Sequence, residues 1–419
     1  MWSLDVDQLT PGDIIARPVM DGAGRVLLQR GMTLTRELIH ALGRHGVYCV
    51  TVVGDESLVD VELPEDISPQ TRGRATQGLV RACEHVREVL GEVREESLRT
   101  LNDGMDSGRF NGRIDVAHLY RETSAGVRDL VAEVLEGDTL SGLASIKTYD
   151  NYLFNHSIDV AVTSVMLGKR LGLPKVYLHE LATGAVLHDI GKLLIPQEIL
   201  AKPGSLTAEE FEKVKAHPRF GYELTRDGRH ILAPHVCLQH HEKQDGTGYP
   251  HGLVGTNVFE LASEKGRIHA LAEITSVCDI FDAVVSDRVY RPGWPVDRTL
   301  GLIQRLSGEH LNSEIVAVFQ SLIPPHPMGT HVEVVAGELR GFQGVVVDVP
   351  SRGFDRPTIR IIWQPDGQRV TPVDVVVDPE DESGWICRLR AVEQSGPSDP
   401  DQSSSDPTRI SGRSSALSA

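Results

Sequence analysis

The feature of this sequence that most constrains its fold is residues 187–192, Leu-His-Asp-Ile-Gly-Lys, which end a predicted helix. Leu181 and Ala185 precede His188 at helical spacing, so the imidazole is expected on the buried face of that helix. Gly191 is expected to end the helix. Adjacent histidine and aspartate side chains point about 100° apart on a helix, so one can bind a metal ion terminally while the other reaches between two ions. For an isolated pair, the alternative is a buried histidine satisfied by its neighbouring aspartate.

Four more predicted helical segments carry histidine or aspartate. His156 lies at the start of one helix, and His217 precedes a proline that places it at a helix end or kink. His240 and His241 are consecutive, so they cannot bind one point from a regular helix, but each can serve one of two adjacent ions. Asp279 lies on a helix that otherwise looks buried, where a carboxylate is costly unless it is paired or bound to metal.

Together these residues predict a site for two metal ions. Seven ligands are too many for one tetrahedral zinc but suit two octahedral ions bridged by one aspartate and a water. Imidazole and carboxylate ligands without thiolate favour iron, manganese or similar ions. Two ions about 3.5–4 Å apart acidify a bridging water to hydroxide and clamp a phosphoryl oxygen, which is the chemistry of phosphoester hydrolysis. The predicted ligands are His156, His188, Asp189, His217, His240, His241 and Asp279.

The predicted substrate is anionic, although the chain itself has a formal net charge of −17. This charge opposes binding to a nucleic-acid polymer, so an anionic substrate must meet a local positive site. Lys192 follows the predicted bridging aspartate closely enough to stabilise phosphate charge in a transition state. Arg288 and Arg291 can form bidentate contacts with phosphate, or they can pair with neighbouring aspartates on the surface.

These segments resemble the HD-GYP domain phosphodiesterases. The similarity covers about Asp150 to Phe319, and its order and spacing are highly specific. The resemblance implies an all-helical HD-type fold, hydrolysis of cyclic di-GMP to pGpG and in some members to GMP, and a role in bacterial second-messenger signalling. The segments that carry it are 188–192, 240–243, Asp245-Gly246, Gly248-Tyr249-Pro250 and Asp279 to Arg291.

The resemblance also implies roles for individual residues. The seven predicted ligands match the family's metal-ligand positions, and His188, Asp189 and Lys192 are the expected catalytic residues. Tyr152 stands where some members have a glutamate associated with a third metal, which favours two ions here. The implied substrate contacts are Lys192, Arg288 and Arg291 to phosphate, with Gly248, Tyr249 and Pro250 beside the guanine and phosphate pocket.

Two alternative functions remain open from the sequence. The first is another HD-type phosphohydrolase acting on a nucleotide such as a dNTP or ppGpp, against which the His240-His241 pair and the Gly-Tyr-Pro loop argue. The second is a catalytically inert signalling adaptor, against which the complete ligand set argues.

The predicted fold is mainly α, with modules flanking the HD-type domain. A small α+β module precedes it, and alternating apolar residues separated by glycine-rich turns predict a small β-barrel-like module after it. A final segment rich in serine, proline and aspartate is expected to be disordered. The predicted modules are 1–63 (α+β), 64–140 (linker and helical hairpin or coiled coil), 141–325 (HD-GYP), 326–393 (β) and 394–419 (tail).

A narrow apolar stripe follows the helix predicted over 76–101. It suits either a coiled-coil seam of a homodimer or packing within the chain against a helix at about 116–135. Its members are Leu79, Cys83, Val86, Leu90 and Val93.

The sequence favours a cytoplasmic protein. It has no run of about 18 apolar residues, so no membrane span is expected, and its first ten residues lack the features of a signal peptide. Its five cysteines are scattered, which fits a reducing compartment without a disulfide framework.

Overall fold

A computed structural model of the protein describes most of the chain. The described ranges are 1–22, 24–47, 49–91, 115–137, 152–202, 204–226, 230–261, 265–286, 293–350, 353–380, 384–386 and 388–392. The predicted tail, Arg288 and Arg291 lie outside them.

The N-terminal region is a small α+β unit, as predicted. Strand β1 pairs antiparallel with β4, and β2 pairs antiparallel with β3. Thr35 caps the single α-helix of the unit by accepting a hydrogen bond from the Leu38 amide at 3.3 Å. The elements are β1 (Trp2–Asp5), β2 (Val19–Met20), β3 (Val26–Leu28), α1 (Arg36–Arg44) and β4 (Cys49–Val52).

Next comes a pair of helices, α2 (Pro69–Gly91) and α3 (Val116–Glu136), which pack against each other. Their backbones approach closely, because a Cβ atom on Gly126 would lie 2.5 Å from Ala75 Cα. Leu79, Cys83 and Val86 are therefore buried inside the chain. The intrachain alternative is correct for these three residues, and the stripe gives no support to a homodimer. The side chain of Leu90, and Val93, lie outside the described residues.

The central region is helical, as predicted, and one apolar core joins it to the helix pair. Its helices are α4 (Tyr152–Arg170), α5 (Lys175–Leu187), α6 (Gln197–Leu200), α7 (Ala208–Val214), α8 (His217–Thr225), α9 (Ala233–Gln239), α10 (Ala270–Val285), α11 (Val296–Leu306) and α12 (Ser313–Gln320). Among the described residues, no helix is both long and apolar enough to cross a lipid bilayer.

The C-terminal region is an antiparallel sheet of five strands in the order β8-β7-β6-β5-β9. The predicted β-barrel is wrong, because a barrel needs its edge strands to pair and here, within the described ranges, the sheet is open. Part of one face is instead covered by the N-terminal unit, with Val345 and Ile362 packed among Met1, Ala16 and Leu58. The strands are β5 (His331–Ala336), β6 (Gln343–Asp348), β7 (Thr358–Trp363), β8 (Arg369–Val376) and β9 (Arg388–Ala391).

Candidate metal centre

Three histidines of the candidate centre are oriented by backbone carbonyls within hydrogen-bond reach. His188 follows α5 and its Nδ1 lies 2.7 Å from the Ala185 carbonyl. His217 begins α8 and its Nδ1 lies 2.7 Å from the carbonyl of Val214, while His240 Nδ1 lies 2.9 Å from that of Cys237. A carbonyl only accepts, so each Nδ1 must carry the hydrogen and each Nε2 keeps its lone pair.

A fourth histidine is oriented by a carboxylate. His156 lies in α4, and its Nδ1 is 2.6 Å from Asp282 Oδ2 on α10. The same ring turns Nε2 toward Asp279 Oδ1, at 3.1 Å. Asp282 was not among the predicted site residues. A second aspartate one turn after Asp279, on a helix that otherwise looks buried, was the signal that could have identified it.

The carboxylate of Asp189 lies between two groups of side chains. Its Oδ2 is 3.4 Å from His188 Nε2 and 4.0 Å from His156 Nε2. Its Oδ1 is 3.3 Å from His217 Nε2 and 3.9 Å from His240 Nε2. One carboxylate therefore presents an oxygen to each side, as a ligand that bridges two ions does.

All seven predicted ligands lie in these two groups. Within each group, one ligand atom from every residue lies within 4.8 Å of the others. Five helical segments from different parts of the sequence supply them, so the fold brings together residues more than 120 positions apart. The first group is His156, His188 and Asp279, and the second is Asp189, His217, His240 and His241.

Several nitrogen lone pairs of the cluster face one another or have no donor, as expected for atoms that bind cations. The Nε2 atoms of His217 and His240 are 3.3 Å apart although both keep lone pairs, an arrangement that repels unless a cation lies beside them. The buried Nε2 atoms of His188 and His241 have no hydrogen-bond partner among the described residues. Such atoms are costly without a ligand, so the chemistry of the cluster fits bound metal.

The electrostatics favour the ligating protonation states. Burial lowers the pKa of His217, takes that of His240 to about 3 and lowers that of His241 well below its usual value. These imidazoles are therefore neutral near pH 7, as ligands must be. Burial alone would raise the pKa of Asp189, but the neighbouring Lys192 cation holds it well below the usual range, so this carboxylate is ionised.

Lys192 lies on the 3₁₀ turn Ile190–Leu194 that follows the His-Asp pair. Its Nζ is 2.8 Å from Asp189 Oδ2, and its side chain is 16% exposed, so it adjoins both the cluster and solvent. This is where the sequence analysis expected a cation.

The Gly-Tyr-Pro loop forms a wall against the second group. Gly248 packs on the preceding backbone, where a Cβ atom would lie 2.5 Å from Glu242 Cα. The Tyr249 ring stacks on His241 with 4.8 Å between centroids, and Pro250 follows a cis peptide bond. The carboxylate of Glu242 accepts hydrogen bonds from two backbone amides that follow the loop, those of His251 and Leu253. The roles of these loop residues toward a substrate stay predictions, as do those of Arg288 and Arg291.

Comparison with known proteins identifies this region. A model of the HD domain matches residues 145–315. The chain is 34% identical over 271 residues to cyclic di-GMP phosphodiesterase PA4108 of Pseudomonas aeruginosa, covering 64% of this chain and 61% of that protein. It is 36% identical over 197 residues to a cyclic di-GMP phosphodiesterase of Thermotoga maritima, covering 46% and 50%. Residues 145–315 therefore match the HD domain family, and this region is similar in sequence to these cyclic di-GMP phosphodiesterases.

A further comparison bears on the choice of substrate. The chain is 32% identical over 177 residues to 3'3'-cGAMP-specific phosphodiesterase 3 of Vibrio cholerae, covering 41% of this chain and 35% of that protein. In all three alignments the chain spans less than two thirds of the relative's own length.

Proposed function

We propose that this chain is a metal-dependent phosphodiesterase that hydrolyses cyclic di-GMP to pGpG. The observation that carries the proposal is the two-sided carboxylate of Asp189, with an oxygen toward His188 and the other toward His217. A single ion would need only one of these groups. Two ions, one held by each group, can both contact a phosphodiester substrate. We infer the substrate, cyclic di-GMP, from the two similar proteins named above, which are cyclic di-GMP phosphodiesterases.

The residues of the cluster have separate tasks in this proposal. The seven ligands hold two divalent ions, iron or manganese, which when bound supply an acidified water as nucleophile and neutralise phosphoryl charge. Asp189 fixes the spacing of the two groups. Lys192 stabilises negative charge on the phosphate as the bond to the leaving oxygen breaks.

The rest of the substrate is bound by the surrounding loops. Arg288 and Arg291 contact its phosphates, and the segment Gly248 to Pro250 lies beside guanine and phosphate. The stacking of Tyr249 on His241 supports this placement, because it sets the loop directly against a ligand of the second group. The domain that performs the reaction is the predicted module 141–325.

The test is metal analysis combined with product analysis on the full chain purified without oxygen. We expect two ions per chain and conversion of cyclic di-GMP to pGpG; the same chromatogram records any GMP. Failure to cleave cyclic di-GMP with iron and with manganese loaded would overturn the proposal. Faster cleavage of 3'3'-cGAMP, a dNTP or ppGpp would assign the site to that substrate instead.

Variants locate the reaction at the cluster. His188→Ala and Asp189→Ala are expected to abolish hydrolysis and lower the metal content, since each removes a ligand. His179→Ala is the matched control, because His179 lies on the same helix, α5, outside the cluster. Wild-type turnover by either ligand variant would show that the site is misassigned. Arg288→Ala should mainly raise KM with metal content unchanged, because it removes a substrate contact.

A further inference from the structure

Asp282 is a buried carboxylate whose contact with His156 sets the first group apart from the second. It lies one turn after Asp279 on α10, and its side chain is 5% exposed. The two aspartates face opposite edges of the His156 ring: Asp279 Oδ1 is 3.1 Å from Nε2, and Asp282 Oδ2 is 2.6 Å from Nδ1. Ser286 adds a longer hydrogen bond to Asp282 Oδ2, at 3.4 Å.

The other oriented histidines of the cluster lack this arrangement. His188, His217 and His240 are each within hydrogen-bond distance, through Nδ1, of a neutral carbonyl a few residues earlier in the chain. A carboxylate partner fixes the tautomer in the same way, but it also raises the basicity of the imidazole as a ligand. His156 is therefore expected to be a stronger donor than these three.

The negative charge is unevenly shared between the two groups. The first group has the carboxylate of Asp279 and the Lys192-paired oxygen of Asp189 on its ligand side, and the carboxylate of Asp282 behind His156. Among the described residues, the second group has three imidazoles and a single carboxylate oxygen, that of Asp189. Asp282 thus places an additional negative charge beside the first group.

We propose that Asp282 is a positioning residue for the first metal position. It holds the His156 ring with Nε2 toward the cluster and strengthens cation binding there, without contacting the cation or the substrate itself. This inference rests on the proposed function only in assuming that the cluster binds divalent ions.

The test is a Mn²⁺ titration of the full chain without substrate, comparing wild type, Asp282→Asn, His156→Ala and the double variant. Asparagine keeps the shape of aspartate and removes its charge. We expect wild type to bind two ions, and Asp282→Asn to weaken one of them by about 10–100-fold while the other changes less than about threefold. The double variant should bind no more weakly than His156→Ala, since Asp282 acts through that ring.

Kinetics give a second measurement that a merely structural role would not produce. Asp282→Asn should lose kcat at low Mn²⁺ and recover most of it at saturating Mn²⁺, with KM for the cyclic dinucleotide unchanged. Equal weakening of both ions, unchanged affinity for both, or additive losses in the double variant would overturn the proposal.

Two further variants keep the test decisive. Glu273→Gln removes another buried carboxylate of α10, one that contacts the amide side chains of Gln244 and Asn312, and it should leave both affinities unchanged. If Asp282→Asn does not fold, Ser286→Ala removes only the hydroxyl that donates to Asp282. It should weaken the same ion by a few-fold, and no change would count against the proposal.

Failure of this inference is distinguishable from failure of the proposed function. A wild-type chain that binds two ions but cleaves no cyclic di-GMP would overturn the function and leave the role of Asp282 open to the same titration. A chain that cleaves cyclic di-GMP with two ions, and whose two metal affinities are unchanged by Asp282→Asn, would support the function and overturn the role of Asp282.

Discussion

Gly191 lies against the backbone of His217 so closely that no side chain fits between them. A Cβ atom on Gly191 would overlap the His217 carbonyl oxygen and lie 2.6 Å from the amide nitrogen of Gly221. The turn after the His-Asp pair therefore packs directly on the helix that begins with the next predicted ligand. The contact joins the turn after Asp189, which lies between the two groups, to the start of the helix that carries His217 of the second group.

Gly191→Ala should consequently destabilise the protein and disturb the metal centre. Overpacking of this kind typically costs about 1–3 kcal/mol, and here the obstacle is backbone, which cannot move aside like a flexible side chain. Urea unfolding and metal analysis check the two effects. Gly301→Ala, in helix α11, is the control, since its nearest neighbour is the end of Arg305 at 3.6 Å and alanine favours the helix. Equal stability of both variants would refute the packing argument.

Lys192→Met should lower kcat by about 100-fold or more with the metal content retained. Loss of one donor aimed at developing charge typically costs that much, and Lys192 is not itself a predicted ligand. Lys192→Arg keeps the charge but not the shape, so it should recover only part of the rate. Steady-state kinetics on metal-loaded proteins make the comparison. Lys202→Met, which breaks the ion pair with Glu210 away from the cluster, should leave kcat unchanged.

Local sequence patterns predicted side chains that the structure brings together, but not the contacts that surround them. The helical stripe before His188 and the proline after His217 act over a few residues, and both placed their histidines correctly at helix ends. The sequence predicts only that Gly191 ends a helix. The structure also shows it in close contact with His217, 26 positions later, and such a contact cannot be read from periodicity. Asp282 was missed for the same reason, because its partner His156 lies on another helix.

The error outside the centre, the predicted β-barrel, has a similar cause. Alternating apolar residues predicted strands in the C-terminal region, and they are present. Whether such strands close into a barrel depends on whether the two edge strands pair, which alternation along each strand cannot reveal. In this chain the edge strands β8 and β9 do not pair with each other within the described ranges, and Val345 and Ile362 pack on the N-terminal unit, more than 280 residues earlier. The stripe through Leu79 likewise has its partner helix inside the chain.

His269 should make stability depend on pH. It caps α10, where its Nδ1 accepts a hydrogen bond from the Leu271 amide at 3.2 Å, so it must be neutral. Burial, with a smaller effect of His235, lowers its pKa from 6.5 to about 4. Between these values the unfolded chain binds a proton that the folded chain does not, so this contribution is complete above pH 6.5 and is lost as the pH falls toward 4. The loss amounts to about 3 kcal/mol at most.

His269→Asn isolates this contribution, because asparagine caps a helix and does not titrate. The free energy of unfolding in urea should fall more for wild type than for the variant as the pH falls from 7.5 to 4.5, since the other titrating groups affect both proteins alike. Parallel pH profiles would contradict the assignment.

The ion pair between Arg72 and Asp159 should stabilise the junction between α2 and the helix that carries His156. Arg72 Nη1 and Asp159 Oδ1 are 2.6 Å apart, and the Asp159 side chain is 4% exposed. Removing one member of a buried pair typically costs about 3–5 kcal/mol, because the other charge stays buried. Replacing both by apolar residues should cost much less.

The two single variants should not be equal. Glu65 and Asp66 lie close enough to Arg72 to favour its charge, so Asp159→Asn leaves that cation with negative neighbours. Arg72→Met, in contrast, leaves Asp159 buried without its closest cation. Arg72→Met should therefore lower the free energy of unfolding more than Asp159→Asn, and Arg72→Met/Asp159→Leu should restore much of the loss. Urea unfolding of the four proteins measures the cycle, and additive losses in the double variant would mean that the two charges do not stabilise each other.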